Sequence, residues 1–291
     1  MCIRDRNTSN PTGSFSDINL TLSVDTGSGF VNRGTKTCPG PCTNSQRFNF
    51  YIDNFTCSDM STSAQYKFTA TNANGTSTTT QSFVIEKDDV DIIYINGDNT
   101  IANRSATQTD LLIVRVNDTD NKSIVGSGVN VTFYVKFNSQ TYDSGTNNLT
   151  NSTGYANYYF EPTCSPIKYT IGDRDWKAET ISNNTCYKTK TSSTFNLSIR
   201  GDITLEFDEP TGDNVTQEDT IGFLGSTWDD CGDALVTNVS YYGNTSANSF
   251  SCTDITIIGA NAFRCYYPTY LNTTEAWYNV TMNGEAIYHY R

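Results

Sequence analysis

Histidine is nearly missing from this chain, with one residue, His289, in 291. His-based triads and His-containing zinc sites therefore lack their raw material, and His289 itself reads as a surface or strand residue. Charge is also scarce. Only 17% of the residues are Asp, Glu, Lys or Arg, against roughly a quarter in an ordinary soluble protein. Basic residues are the scarcer sign, 19 against 31 acidic, for a net charge of -12. That balance speaks against a nucleic-acid partner, since phosphate binding needs clustered Lys and Arg. Long apolar runs are absent: Leu111 to Val114 and Ile255 to Ile258 fall far short of the roughly 18 residues that span a bilayer. No membrane contact is expected within this stretch. Apolar residues at helical spacing are missing too, which argues against a helical domain.

What the chain has instead is Ser, Thr, Asn, Tyr and Gly, arranged in short alternating apolar runs. Asn, Gly, Asp, Ser and Pro clusters punctuate them about every ten residues, the signature of β-sandwiches. The expected fold class is all-β, as tandem immunoglobulin-like sandwiches, and the length suits three modules. The expected division is a start at 1–11, then 12–90, 91–200 and 201–291. The charged stretch EKDDVD at 86–91 marks the first boundary. Strands are expected at 17–24, 46–52, 65–71 and 79–86; at 91–96, 110–117, 129–137, 155–160, 167–171 and 192–199; and at 202–207, 219–225, 235–242, 254–258, 262–267 and 276–282. The opening MCIRDR resembles translated sequencing-adapter read-through from environmental DNA assembly. It is set aside from the fold argument with Cys2, and the reading frame is expected to be a fragment at both ends.

Nine cysteines without redox or zinc spacing point to an oxidising compartment. Cys164 with Cys186 is the pairing expected first, both lying in one module around a plausible hairpin. Cys252 with Cys265 is favoured in the last module, while Cys38, Cys42, Cys57 and Cys231 stay open. A metal site on Cys38, Cys42 and Cys57 has no zinc-ribbon or finger spacing behind it.

Seventeen Asn-x-Ser/Thr triplets are present among 31 Asn residues, about double the seven or eight expected by chance. Five of them sit where a strand would turn the Asn to the wet face, opposite alternating apolar residues. These are Asn19, Asn130, Asn196, Asn238 and Asn279. Other chemistry is thin. Asp208-Glu209, Asp229-Asp230 and Asp173-Asp175 have the residue types of a glycosidase pair, yet lie in turn-like clusters. Asp118, Asp120 and Asn121 offer oxygen ligands for calcium, without a twelve-residue loop or closing acid. No catalytic residue and no other cofactor is expected. The pairs Tyr158-Tyr159, Tyr241-Tyr242 and Tyr266-Tyr267 each put one ring outward if they lie in strands.

The stretch NDTDNKSIVGSGVNVTFYV at 117–135, with NSTGYANYYF at 151–160 and CSPIKYTIG at 164–172, resembles a bacterial immunoglobulin-like module of the invasin and intimin stalk type. Thr153-Gly154, Ala156 and Tyr169-Thr170 match that family's turn and core positions. The resemblance covers about a third of the chain and implies fold more than function. WDDCGDALVTNVSYY at 228–242 and AFRCYY at 262–267 repeat it loosely. The cysteines and sequons depart from those bacterial repeats and look more like archaeal surface proteins. The reading is a non-enzymatic, extracellular stalk or surface-layer piece whose partners are other surface proteins or glycans. The alternatives are accessory modules, spacer or carbohydrate-binding, of a secreted hydrolase whose catalytic domain lies elsewhere, and a viral appendage.

Overall fold

The computed structural model describes residues 2–4, 18–38, 48–52, 55–72, 75–104, 109–181, 186–212, 214–216, 218–269 and 276–290. Among the described residues strand follows strand, with no α-helix and a 3-10 turn at Cys57–Asp59. None of them forms a helix long and apolar enough to cross a membrane. The chain is all-β, in several largely antiparallel sheets. It divides into two compact units: Met1–Val90 with Asp118–Ser123 and Ile181–Thr189, and the remainder.

The first unit contains β1 (Cys2–Arg4), β2 (Ile18–Asp25), β3 (Val31–Cys38), β4 (Asn49–Tyr51), β5 (Ser61–Asn72) and β6 (Gly75–Ile85). Its antiparallel sheet runs β3-β2-β5-β6, and β1 pairs with β4. Strict alternation along β2 sends Leu20, Leu22 and Val24 into a core shared with Phe50, Ile52 and Phe68. The opposite face is rich in threonine: Asn19 lies between Thr37 and Thr71, and Thr21 between Thr35 and Thr69. Uncharged hydroxyls thus do the solvation that charges do elsewhere.

The second unit is built on β7 (Val90–Asn96), β8 (Thr100–Asn103), β9 (Asp110–Asp118), β10 (Ser123–Ile124), β11 (Asn130–Val135), β12 (Thr146–Leu149), β13 (Tyr155–Phe160), β14 (Gly172–Thr180), β15 (Lys190–Thr191) and β16 (Phe195–Glu209). After these come β17 (Thr220–Asp229), β18 (Asn238–Asn244), β19 (Ser249–Cys252), β20 (Ile255–Ile257), β21 (Ala262–Pro268), β22 (Asn279–Glu285) and β23 (His289–Tyr290). One core lies between β9–β13 and β11–β14–β16. Phe133 meets Tyr158 at 5.8 Å and Trp176 at 6.3 Å, and the Trp176 indole donates to the Gly97 carbonyl at 2.7 Å. The Leu112 side chain comes within 2.6 Å of where a Cβ on Gly97 would stand, and Gly97 has φ +104°, so only glycine fits there. A second core lies between β17–β21 and β18–β19–β22, holding Phe223, Phe263, Tyr241, Val239 and Met282 with Cys252 and Cys265.

Several expectations need correction. No break separates 200 from 201: β16 pairs with β14 through its first residues and with β17 from Ile203 onward, as one strand of 15 residues. Residues 167–171 form no strand, and the strand is the next segment, β14. Its buried positions are Gly172, Trp176, Ala178 and Thr180, and its outer face carries Asp173, Asp175, Lys177 and Glu179, so it shows no aliphatic alternation. Strands β3, β8, β12 and β19 were also not expected. They are short or poor in apolar residues and are held by pairing with neighbours rather than by their own pattern. Cys2–Arg4, set aside as read-through, pair with β4, as an extended triplet can at an open strand edge.

Candidate functional site

The densest polar constellation of the second unit surrounds the turn at 228–233. β17 ends in Trp228-Asp229, and the turn that follows is closed on itself: Asp229 Oδ1 accepts the backbone N–H groups of Cys231 at 2.9 Å and Asp233 at 2.8 Å. Such capping explains why Asp begins this turn. Into it reaches Arg104, just beyond β8, whose guanidinium is almost wholly buried. Its Nε and one terminal nitrogen grip Asp230 at 2.9 and 2.6 Å. The same terminal nitrogen reaches Asp229 at 2.8 Å, and the other donates to the Tyr169 carbonyl at 3.0 Å. Burial alone would lower the Arg104 pKa, but the hydrogen bonds to Asp230 and Asp229 outweigh it and the net shift is upward. The cluster closes over Gly201, where a Cβ would stand 2.3 Å from an Asp230 oxygen. Lys168 pairs with Asp233 at the rim.

A disulfide completes the joint. Cys164 bonds Cys231, 67 residues apart, and Cys186 bonds Cys57, both in the first unit. The expected Cys164–Cys186 pairing is therefore wrong. Proximity in sequence misled it, because each of these cysteines is carried to a partner far along the chain by strand topology. Cys252 bonds Cys265 between facing strands β19 and β21. Cys38 is also disulfide-bonded; Cys42 lies outside the described residues. With Cys38 and Cys57 oxidised, the sulfurs needed for a metal site at 38–57 are not thiolates. Among the described residues, the one group of ligand atoms close enough to share an ion is Cys164, Cys231 and Asp230. Its two sulfurs are bonded to each other, so no metal site is offered there.

The calcium candidates are not brought together as a cation site. Both Asp118 oxygens accept from Asn121, its backbone N–H at 2.9 Å and its side-chain amide at 2.7 Å. Asp120 accepts the Asp89 N–H at 2.8 Å. Burial, then Asp118, Asp120 and Asp89, raises the Asp88 pKa, and Lys188 opposes them from its bridges to Glu86 at 3.0 Å and Asp89 at 2.9 Å. The glycosidase candidates other than Glu209 at the end of β16 are likewise engaged. Asp229 and Asp230 clamp Arg104, Asp208 accepts from Ser226, and Asp175 pairs with Lys136. Asp173 accepts from Ser198 and Tyr288, which hold its pKa down. His289 sits in β23 with Nδ1 3.0 Å from the Ile287 carbonyl.

Four of the five strand sequons are exposed: Asn19, Asn196, Asn238 and Asn279, with Asn130 half-buried. Each lies beside buried or half-buried residues of the opposite face, as the pleat requires. The tyrosine pairs split as expected: Tyr159, Tyr242 and Tyr266 are exposed, while Tyr158, Tyr241 and Tyr267 join cores. Sequence reading missed Arg104 and Lys168: Arg104 is only the middle residue of the triplet at Asn103 and Lys168 an unmatched position of the stretch 164–172, and both matter only through partners over sixty residues away. No family model matches the chain, and no curated protein resembles it closely enough to be informative.

Proposed function

We propose that this chain is a non-catalytic extracellular spacer, an N-glycosylated run of immunoglobulin-like sandwiches that stiffens a stalk or surface coat. The observation that carries the reading is the joint between 91–200 and 201–291. A continuous strand, a buried Arg–Asp–Asp cluster and a disulfide meet there, and each resists bending in a different way. A hinge between recognition modules needs none of these, whereas a spacer that transmits force or holds distance needs all three. The disulfides suit an oxidising compartment, and the exposed sequons suit passage through a secretory route. Five of the six carboxylates with the residue types for glycoside hydrolysis, Asp173, Asp175, Asp208, Asp229 and Asp230, are engaged in hydrogen bonds or ion pairs.

The intact glycosylated chain, assayed on glycan arrays, on cells and with polysaccharide substrates, tests the reading. A spacer gives neither saturable binding nor hydrolysis. Saturable binding that survives removal of the chain's own glycans would make it a recognition module, and substrate turnover would overturn the non-catalytic assignment.

A further inference from the structure

The sheet β19-β18-β22 has an outer face with little charge and an unusual concentration of acceptor triplets. In register, Asn244 faces Asn279, Tyr242 faces Thr281 and Ser240 faces Asn283, with Asn238 opposite Glu285 at the end. Asn238, Asn244 and Asn279 each begin an Asn-x-Ser/Thr triplet, and all three are exposed. The alternation extends one step before β22. Tyr278 turns inward against Phe250 at 5.6 Å, Val280 packs on the same core, and Met282 is buried. Trp277, Asn279 and Thr281 are exposed between them.

Trp277 is 83% exposed, the largest value among the exposed large hydrophobic residues. An isolated exposed apolar residue needs no explanation, but this one has a specific neighbour. Residues two apart on an extended strand share a face about 6.5 Å from one another, within the span of one sugar ring. On the diagonal across the ladder lies Tyr242, 43% exposed, at a separation aromatic side chains can bridge. Asn279 is thus flanked by two exposed aromatic residues, Trp277 two positions before it and Tyr242 on the diagonal across the ladder. The C–H face of a pyranose laid on an indole gains dispersion contacts over the whole ring and removes apolar surface of both from water.

We infer that Trp277 is the stacking platform for the sugar attached to Asn279, with Tyr242 as the flanking ring. The glycan then lies along the sheet instead of extending into solvent, and it covers the most exposed indole of the chain. This inference rests on the glycosylation reading above and adds to it which side chain receives the sugar.

The test uses the full chain secreted from a glycosylating eukaryotic host, with glycans trimmed enzymatically to one N-acetylglucosamine per site. Glycopeptide mass spectrometry gives occupancy at Asn279, and iodide quenching of tryptophan fluorescence gives access to the indoles. Of the three tryptophans, Trp176 is buried and Trp228 half-buried, so quenching is dominated by Trp277. Thr281→Ala removes the acceptor triplet and Thr281→Ser preserves it. The Thr281 hydroxyl makes only a 3.4 Å contact with the Tyr242 carbonyl, so neither change threatens the fold. The expected result is loss of the strongly quenched component in the occupied wild type and in Thr281→Ser, and its return in Thr281→Ala. Occupied Asn279 with quenching equal in all three proteins overturns the stacking and leaves the glycosylation reading standing. An unoccupied Asn279 in the wild type overturns both at this position.

Discussion

Arg104 shows how one side chain can decide whether two sandwiches behave as one body. Its guanidinium is desolvated, and it neutralises two carboxylates that are themselves nearly buried. Replacing it with methionine keeps the volume but leaves Asp229 and Asp230 facing each other without a counter-charge. Breaking a buried pair in this way costs about 3–5 kcal/mol, so urea unfolding of Arg104→Met should show a loss of that size. Gly201→Ala should also destabilise, because the added methyl collides with Asp230. Tyr241 gives a different readout. Burial first, and then Asp208, pushes its pKa up to about 12, and its hydroxyl donates to the Phe263 carbonyl at 2.6 Å. The folded pKa lies above the ordinary value of about 10. The stabilisation is therefore fully present below pH 10 and is lost as pH rises toward 12. An alkaline titration should show late tyrosinate absorbance coinciding with unfolding, and Tyr241→Phe should diminish that late component by one tyrosine, leaving the contribution of other raised tyrosines such as Tyr169.

Strand register makes its own prediction. Asn244 and Asn279 are direct partners across β18 and β22, so their Cα atoms are about 4.5–5.5 Å apart. Two branched glycans rooted that closely compete for the same space. Intact-mass and glycopeptide analysis should find occupancy at the two sites anticorrelated, and Ser246→Ala, which removes the Asn244 triplet, should raise occupancy at Asn279. The same register explains what could be read in advance. Where one face is aliphatic, as in β2, β9 and β11, alternation alone located the strand, and in β2 it turned the sequon Asn19 outward, whereas Asn117 and Asn130 stay half-buried. β14 escaped because Trp176, Ala178 and Thr180 fill its inner face and charges crowd the other. The neighbouring Ile167, Tyr169 and Ile171 offered a better-looking pattern that the fold uses as a connecting segment. β3, with Gly34 and Lys36 and no buried residue, is a strand only because β2 is beside it. Sulfur pairing was least legible, because nothing in local spacing tells Cys164 that its partner lies beyond β16 and β17.

Taken as a covalent object, the second unit is held across 91–200 and 201–291 by more than packing. Closing a loop of 67 residues is worth about 4 kcal/mol in the chain-entropy account. Calorimetry should show the two stretches melting together, and the doubly substituted Cys164→Ser, Cys231→Ser protein should melt earlier and resolve into separate transitions. The bonds Cys57–Cys186 and Cys164–Cys231 also interleave, since the second begins inside the loop of the first and ends outside it. A single backbone cut anywhere between 57 and 231 therefore releases nothing, and a cut between 164 and 186 leaves the two pieces joined twice. Limited proteolysis within that span should give one band on a non-reducing gel and two after reduction. On the extracellular reading proposed above, damage to the backbone does not become loss of length.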